Sequence, residues 1–336
     1  MSATHAVPAP AVKKGLTARR WWPTARRALS TAFLLLVATL IFNQARRIEW
    51  PLVGAALAEQ PVGGLLLALA LAAASHALYS TFDLFGRRYT HHKLPTRTVM
   101  GITFISYAFN LSLGSLIGGI AFRYRLYAKR GLSTGTITRI VSMSMLTNWL
   151  GYFFLGGLAF MLFPLALPDE WPIGEATLRS IGAALLAVAL AYLCACVFAR
   201  QRHWHVRKLR LTLPSARMAG LQLALSSVNW MLIAAIVYVL LEQRVAYPTV
   251  LAVLLIAAVA GVITHVPGGL GVLEAVFIAL LPGNVPETEL LAALLAYRAV
   301  YYLLPLALAT TLHLVTAARL RTRTNRTSAL PGSASS

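Results

Sequence analysis

The sequence has few charged residues, and acids are especially scarce. Asp and Glu number 10 against 30 Lys and Arg, and charged residues make up only 12% of the 336 positions, whereas hydrophobic residues make up 58%. Soluble domains carry about 25% charged residues. The composition therefore excludes an ordinary soluble domain and indicates a polytopic membrane protein.

Cysteine is also scarce: Cys194 and Cys196 are the two present, and they lie two positions apart in an apolar run. Side chains with this spacing point in different directions on a helix, which excludes a metal site at this pair. The sequence lacks the HExxH, Walker and GxSxG motifs of metal-dependent, nucleotide-dependent and serine-nucleophile chemistry. We predict no catalytic residue, no metal and no cofactor.

The basic residues lie where acids are absent, in five acid-free clusters that hold most of the Lys and Arg. Short basic loops stay on the cytoplasmic side, so the clusters predict cytoplasmic segments and two cytoplasmic termini. Basic rims of this kind attract anionic lipid headgroups, which argues against nucleic acid as the partner. The clusters occupy residues 13–27, 87–97, 123–139, 200–217 and 319–326.

We predict a single integral membrane domain over residues 28–318 between two basic cytoplasmic tails, 1–27 and 319–336, the second of them disordered. The predicted fold is all-α, with six transmembrane helices and two broken helical hairpins that enter from opposite faces. An interfacial helix is expected at 48–60. The predicted spans lie at about 28–43, 62–83, 140–163, 180–199, 217–241 and 290–318.

The first predicted hairpin, 98–122, lies between two basic loops, and a single crossing would place one of them outside. Two legs of about 18 Å, each half a bilayer, resolve this conflict, with a turn in the polar and glycine-rich stretch 109–119. The block 248–281 has outer loops at both ends and is either a second hairpin or two thin spans. Transporters build midplane sites from such discontinuous helices.

The most informative stretch is THVPGGLGVLEAVF, residues 264–277. Its break is formed by Pro267, Gly268, Gly269 and Gly271. A broken backbone at membrane depth is tolerated only inside protein or against a water-filled cavity. A carboxylate, Glu274, follows the break and favours a functional site. The alternative is a glycine-rich helix contact with a buried, neutral carboxyl group.

Charges at membrane depth require partners, because each costs about 2.5–3.5 kcal/mol at a helix centre. We pair Glu274 with Arg298, either as a headgroup site or as a purely structural salt bridge. Arg123 and Arg125 match a lipid phosphate through their guanidinium groups, or they only hold topology. The candidate substrate-binding residues are Glu274, Arg298, His265, Asn110, Arg123, Arg125 and Tyr301.

Several runs resemble one family. They include YAFNLSLGSLIGGIAFRYRLYAKRGL (107–132), AGVITHVPGGLGVLEAVFIALL (260–281) and AALLAYRAVYYLLP (292–305). These runs are similar to the family that shares the transmembrane region of lysylphosphatidylglycerol synthases, and the resemblance extends over about 28–318. It implies a bacterial inner-membrane protein. In bifunctional relatives this region flips an aminoacylated phospholipid that a separate soluble domain makes.

Because the chain ends shortly after the last predicted span, the synthase activity of those relatives is not expected. The leading hypothesis is a flippase-like translocator of anionic or aminoacylated phospholipid, with membrane phospholipids as its partners. The alternative is a non-transporting partner or scaffold of a lipid-modifying enzyme, and a weaker one is a membrane-embedded transferase. No feature of the sequence predicts an oligomeric state.

Overall fold

The computed structural model describes residues 50–163, 174–199, 203–206, 209–281 and 285–328, together with isolated positions elsewhere. The chain divides into two compact units, 1–49 and 50–336, and the elements described below belong to the second. The predicted tail at 1–27 and most of the predicted first span at 28–43 lie outside the described residues.

Helices form almost all of the described chain. The elements are α1 (Trp50–Glu59), α2 (Val62–Ser80), α3 (Phe82–Thr90), α4 (Thr96–Leu113), a first π-helical segment (Ser115–Ala121), α5 (Phe122–Ala128), α6 (Thr134–Leu162), α7 (Glu175–Phe198), β1 (His203–Val206), β2 (Leu209–Thr212), α8 (Ala216–Leu240), α9 (Tyr247–Thr264), a 3₁₀ turn (Pro267–Gly269), α10 (Val272–Leu280), α11 (Glu287–Arg298), a second π-helical segment (Ala299–Leu303) and α12 (Leu304–Ser328).

Within the described residues, 6 helical stretches are long and apolar enough to cross a membrane. This finding confirms the all-α, multi-pass prediction, and the interfacial helix expected at 48–60 corresponds to α1. The candidate span Tyr247–Thr264 belongs to the second broken block. The short strands β1 and β2 pair antiparallel in the basic connection at 200–217, for which no strand was predicted.

The spanning helices begin where local chemistry satisfies their free N–H groups. The Oγ atoms of Ser133 and Ser215 each accept a hydrogen bond from a backbone N–H three residues on, at 3.3 Å in both cases, and so cap α6 and α8. The helix α7 begins at Glu175 and α11 at Glu287, where a negative charge favours the helix N-terminus. Polar residues thus set these boundaries inside otherwise apolar sequence.

The first hairpin breaks at Gly114, whose φ of 84° and ψ of 166° lie outside the helical region. The leg before it, α4, has 18 residues and is about 27 Å long, so it exceeds the predicted half-bilayer leg. The return arm runs through the first π-helical segment into α5. Stacked rings of Phe109 and Phe122, with centroids 4.2 Å apart, hold the two arms together. The turn falls inside the predicted stretch 109–119.

Gly118 is expected to be essential for closing this hairpin. A Cβ at this position would lie 2.2 Å from the backbone carbonyl of Phe109, which cannot move away as a flexible side chain can. We expect Gly118→Ala to destabilise the protein by about 1–3 kcal/mol or more, measured as a lower unfolding temperature in detergent. Gly101→Ala is the control, because its Cβ would meet open space. Equal unfolding temperatures for the two variants would contradict the prediction.

The second hairpin has unequal legs. Its first leg, α9, ends at Thr264, and His265 takes a left-handed conformation with φ of 54°. Positive φ values recur at Gly268 and Gly271 before the chain re-forms a helix. The second leg, α10, has 9 residues and is about 14 Å long, roughly half a bilayer. A leg of this length is too short to be the second of two full spans, which favours the hairpin among the two predicted alternatives.

The two hairpins meet at their breaks. Helix α4 of the first hairpin contacts the 3₁₀ turn of the second. Residues on both sides of the two breaks line a common cavity: 113–117 at the first, and 265, 266, 268 and 269 at the second. This meeting of the two breaks positions the candidate site.

Candidate functional site

The cavity between the breaks has a volume of about 530 Å³. That volume lies within the range of small-molecule sites, roughly 300–1,000 Å³. Aromatic side chains from five helices and the second π-helical segment form much of its wall. They are Tyr79, Tyr107, Trp149, Tyr152, Trp230, Tyr297, Tyr301 and Tyr302.

The cavity surface is mostly apolar, and it carries a smaller number of polar groups. No Asp, Glu, Lys or Arg is among the described residues that line it. Its polar groups are tyrosine hydroxyls, the amides of Asn110 and Asn148, Ser115 and the imidazole of His265. The arrangement suits a ligand that binds through aromatic faces and neutral hydrogen-bonding groups.

A buried hydrogen-bond network supports the inner wall. The hydroxyl of Tyr301 lies 2.9 Å from the hydroxyl of Tyr107 and 2.9 Å from Oγ of Ser75. Ser75 donates to Oδ1 of Asn229 at 2.8 Å. These contacts join α2, α4, α8 and the second π-helical segment and fix the two tyrosines at the cavity surface.

Arg298 stabilises the break of the second hairpin. Its Nη1 donates to the carbonyl of Gly268 at 2.8 Å, and its Nη2 donates to that of Gly269 at 2.7 Å. Its Nε and Nη2 also donate to the carboxylate of Glu274, at 2.5 and 2.9 Å. One guanidinium thus binds the carbonyls that the break frees and the carboxylate that balances its charge.

The predicted pair of Glu274 and Arg298 is therefore brought together, but neither side chain lines the cavity. The exposed fractions of the two side chains are 14% and 8%. This geometry favours the structural alternative, because the pair holds the backbone of the cavity wall rather than facing a ligand.

A second buried ion pair stabilises the first hairpin. Nε of Arg123 lies 3.1 Å from Oδ2 of Asp83, and Nη1 donates to the carbonyl of Gly119 at 3.0 Å. Tyr127 donates to the same carboxylate at 2.9 Å. The side chain of Arg123 is only 4% exposed. Its donors are used inside the protein, so the geometry places it in a structural clamp instead of the predicted phosphate contact.

The remaining predicted residues divide between the cavity and its surroundings. Asn110, His265 and Tyr301 line the cavity together with Gly268 and Gly269. Nδ1 of His265 lies 2.8 Å from the carbonyl oxygen of Ile263. The half-buried Arg125, at the exit of the first hairpin, does not line it, and neither does Gly271. Pro267 begins the 3₁₀ turn.

Electrostatic effects outside the spans are local. Burial and the charge of Arg87 lower the pKa of His92, while Asp83 opposes this shift. A hydrogen bond to Glu242 and the charge of Glu289 raise the pKa of Arg244. These groups lie away from the cavity and do not contribute to its chemistry.

Most of the aromatic wall was missed by reasoning from the sequence. Tyr79, Tyr107 and Tyr152 lie singly in apolar runs, and no local pattern marks them as neighbours. One signal was available: Asn148-Trp149 and Asn229-Trp230 are polar–aromatic pairs inside predicted spans. The structure joins the two pairs, because Nε1 of Trp230 donates to the carbonyl of Asn148 at 3.2 Å.

Comparison with known proteins identifies relatives over most of the chain. The family model described as the lysylphosphatidylglycerol synthase TM region matches residues 26–309. Inner membrane protein YbhN of Escherichia coli (strain K12) is 46% identical over 289 residues, which are 86% of this chain and 91% of the relative. An uncharacterised protein of Synechocystis sp. is 33% identical over 246 residues, covering 71% of this chain and 75% of that protein.

A shorter match connects the chain to enzymes. The phosphatidylglycerol lysyltransferase of Staphylococcus haemolyticus is 36% identical over 88 residues, which are 25% of this chain and 10% of that enzyme. The similarity therefore covers a small part of the lysyltransferase. With the family model matching well over half of the chain and the six apolar helices in the fold, this multi-pass membrane protein belongs to the lysylphosphatidylglycerol synthase transmembrane-region family.

Proposed function

We propose that this chain translocates phospholipids across the bacterial inner membrane, with the headgroup held in the cavity between the two hairpin breaks. The observation that carries the proposal is the cavity itself, which is neutral, aromatic and formed where two discontinuous helices meet. Transporters place substrate sites at such breaks, because freed backbone groups and polar side chains are available there at membrane depth.

The lining favours an ammonium-bearing headgroup over a purely anionic one. Tyrosine and tryptophan faces attract cations, with each contact contributing about 0.5–2 kcal/mol. The two clamp arginines, Arg123 and Arg298, are occupied by carboxylates and carbonyls and do not line the cavity. Of the two lipid classes considered, the aminoacylated phospholipid therefore fits better, in accord with the lysyltransferase relative.

The rim of the cavity suits a lipid whose chains remain in the bilayer. Leu116 and Val262 both line the cavity, and their side chains are 73% and 56% exposed. On a membrane protein, exposed apolar side chains contact lipid tails rather than water. The acyl chains can then stay outside while the headgroup enters between the breaks.

The orientation completes the proposal. The five basic clusters face the cytoplasm, both termini are cytoplasmic, and membrane phospholipids are the partners. The relationship to an Escherichia coli inner membrane protein supports the same membrane for this chain. The domain boundaries 28–318, with a basic tail on each side, remain part of this proposal, although α12 extends to Ser328.

A flipping assay in liposomes tests the function. Labelled lysylphosphatidylglycerol and unmodified phosphatidylglycerol are followed in liposomes containing the wild type, Trp149→Ala, or no protein. We expect the wild type to move the lysylated lipid fastest, and Trp149→Ala to slow it about tenfold through loss of an aromatic face. Ser180→Ala is the matched control, because Ser180 is exposed on α7 and does not line the cavity.

Wild-type rates equal to those of empty liposomes would overturn the proposal. Binding of the lysylated lipid without movement would instead favour a non-transporting partner of a lipid-modifying enzyme.

A further inference from the structure

Basic side chains meet a histidine where the short helix α5 of the first hairpin contacts the last helix, α12. We propose that Arg125, Lys129 and His313 form a second lipid site, which binds the phosphodiester group of an anionic phospholipid. The site lies outside the cavity, because none of the three residues lines it. Binding there needs no lipid movement, so the site is independent of the translocation proposed for the cavity.

One face of α5 is turned toward α12. The rings of Phe122 and His313 are in edge contact, with centroids 5.9 Å apart. Arg125 and Lys129 follow Phe122 at the spacings that place side chains on the same face of a helix, and the backbone is still helical at Lys129. The charges of both residues act on His313. The three polar side chains therefore converge at the contact between α5 and α12.

Arg125 differs from basic residues that only hold topology. Arg88 and Arg130 are exposed, as expected of charges that face water, whereas Arg125 is half-buried. Lys129 is exposed at the end of α5, and His313 is half-buried on α12. The cluster thus combines two half-buried groups with an exposed one, and a ligand can reach it from outside the protein.

The elements around the cluster carry no acid. Residues 84–168, which include α4, α5 and α6, contain no Asp or Glu, and neither do residues 290–336, which include α12. The carboxylate that precedes them in the chain is Asp83, which Arg123 and Tyr127 bind. These elements therefore bring positive charge together without a carboxylate of their own, which favours binding of an external anion.

The position of the cluster suits a lipid phosphate. His313 lies near the end of the apolar stretch Glu287–Thr316, the last of the candidate spans among the described residues. Beyond this stretch, α12 continues to Ser328 through a sequence that contains Arg319, Arg321 and Arg323. Apolar sequence gives way to basic sequence at the level of phospholipid headgroups, where basic side chains meet anionic lipids.

The three side chains make complementary contacts to a phosphodiester. The guanidinium of Arg125 can donate two parallel hydrogen bonds to two phosphate oxygens. The ammonium of Lys129 adds a positive charge, and the imidazole of His313 has a donating N–H even when it is neutral. A lipid with net negative charge should bind more tightly than a zwitterionic one, whose own ammonium group is repelled by the cluster.

Lipid binding in a neutral detergent tests the proposal. The affinity of the full chain for short-chain phosphatidylglycerol and phosphatidylcholine is measured by titration calorimetry. We expect the anionic lipid to bind about tenfold more tightly than the zwitterionic one. The affinity for phosphatidylglycerol should fall about tenfold in Arg125→Gln, about fivefold in Lys129→Gln and about threefold in His313→Leu.

Two control variants locate the bound lipid. Arg88→Gln removes an exposed charge from α3, and Trp149→Ala changes the cavity; both should bind phosphatidylglycerol as the wild type does. Equal weakening in Arg88→Gln and Arg125→Gln would reduce the effect to net charge. Weakening in Trp149→Ala but not in Arg125→Gln would place the lipid in the cavity. Either result overturns the proposal, as do equal wild-type affinities for the two lipids.

Inorganic phosphate separates a lipid site from a site for a soluble anion. We expect it to bind far more weakly than phosphatidylglycerol, because it has no acyl chains to contact the apolar surface. If inorganic phosphate binds as tightly as the lipid and the same variants weaken it, the ligand is a soluble phosphate and the lipid assignment is wrong.

Lys129→Gln decides should Arg125→Gln fail to fold, because Lys129 is exposed and its replacement leaves the packing intact. Unchanged affinity in Lys129→Gln would then contradict the site. Phosphatidylglycerol bound here by a chain that moves no lipid sinks only the translocation proposal. Lipid movement by a chain whose affinity is the same in Arg125→Gln sinks this inference alone.

Discussion

Replacing Arg298 with alanine is expected to lower the free energy of unfolding by about 3–5 kcal/mol, the usual cost of removing one partner of a buried ion pair. The variant leaves the carboxyl group of Glu274 mostly buried without its partner, and it removes the donors that bind the carbonyls of Gly268 and Gly269. Each carbonyl that loses its guanidinium donor adds to the cost, because hydrogen bonds to a charged donor are stronger than those to a neutral one. Equilibrium unfolding in mixed micelles measures the loss.

Two further variants separate charge from hydrogen bonding. Arg298→Lys keeps the charge but cannot bind the carboxylate and both carbonyls with one planar group, so we expect an intermediate loss. Combining Arg298→Ala with Glu274→Ala removes the unpaired carboxylate and should recover part of the stability lost in the single variant. If Arg298→Ala unfolds like the wild type, the guanidinium does not hold the break.

Replacing Asp83 with alanine is expected to be similarly destabilising, by about 3–5 kcal/mol. Asp83 is fully buried and is the carboxylate that balances Arg123, which is only 4% exposed. The variant also removes the acceptor of the Tyr127 hydroxyl and leaves that hydroxyl buried. The same unfolding measurement applies, and loss of the ion pair should loosen the return arm of the first hairpin.

An exposed ion pair provides the matched control for Asp83. Glu175 pairs with Arg179 one turn along α7, and both side chains are about half exposed, at 52% and 54%. Water screens such a pair, so we expect Glu175→Ala to cost less than about 1 kcal/mol. Losses of equal size at Asp83 and Glu175 would contradict the structural role of the buried pair.

The two buried ion pairs, Arg123 with Asp83 and Arg298 with Glu274, stabilise the hairpins in the same way. In each, a guanidinium binds a carboxylate and also the carbonyl of a glycine where the helix is irregular: Gly119 in the first hairpin, Gly268 and Gly269 in the second. Irregular backbone at membrane depth needs donors from elsewhere in the chain. The charged residues near membrane depth therefore build the walls of the cavity, and the cavity surface is left to neutral side chains.

Much of the architecture followed from local sequence. Apolar runs between basic clusters predicted a multi-pass helical protein, and Pro267 with its neighbouring glycines predicted the break in the block 248–281. The lengths of the hairpin legs did not follow, because the prediction divided the hairpin into equal legs, whereas α4 alone takes the 18 residues from Thr96 to Leu113. The strands β1 and β2 form in a basic connection without a clear alternating pattern.

The candidate site, like the fold, could be predicted from the sequence only in part. The sequence by itself determined that Glu274 and Arg298 needed partners, since an isolated charge in the membrane interior is costly. It also determined that the chain breaks at 265–271, because proline and successive glycines cannot continue a helix there.

Only the tertiary structure decided that Asp83 is the partner of Arg123, 40 positions away. It also decided that tyrosines from separate helices converge on one cavity. Helix packing brings these side chains together. A single tyrosine in an apolar helix gives no local sequence signal of the surface that it will share with side chains from other helices.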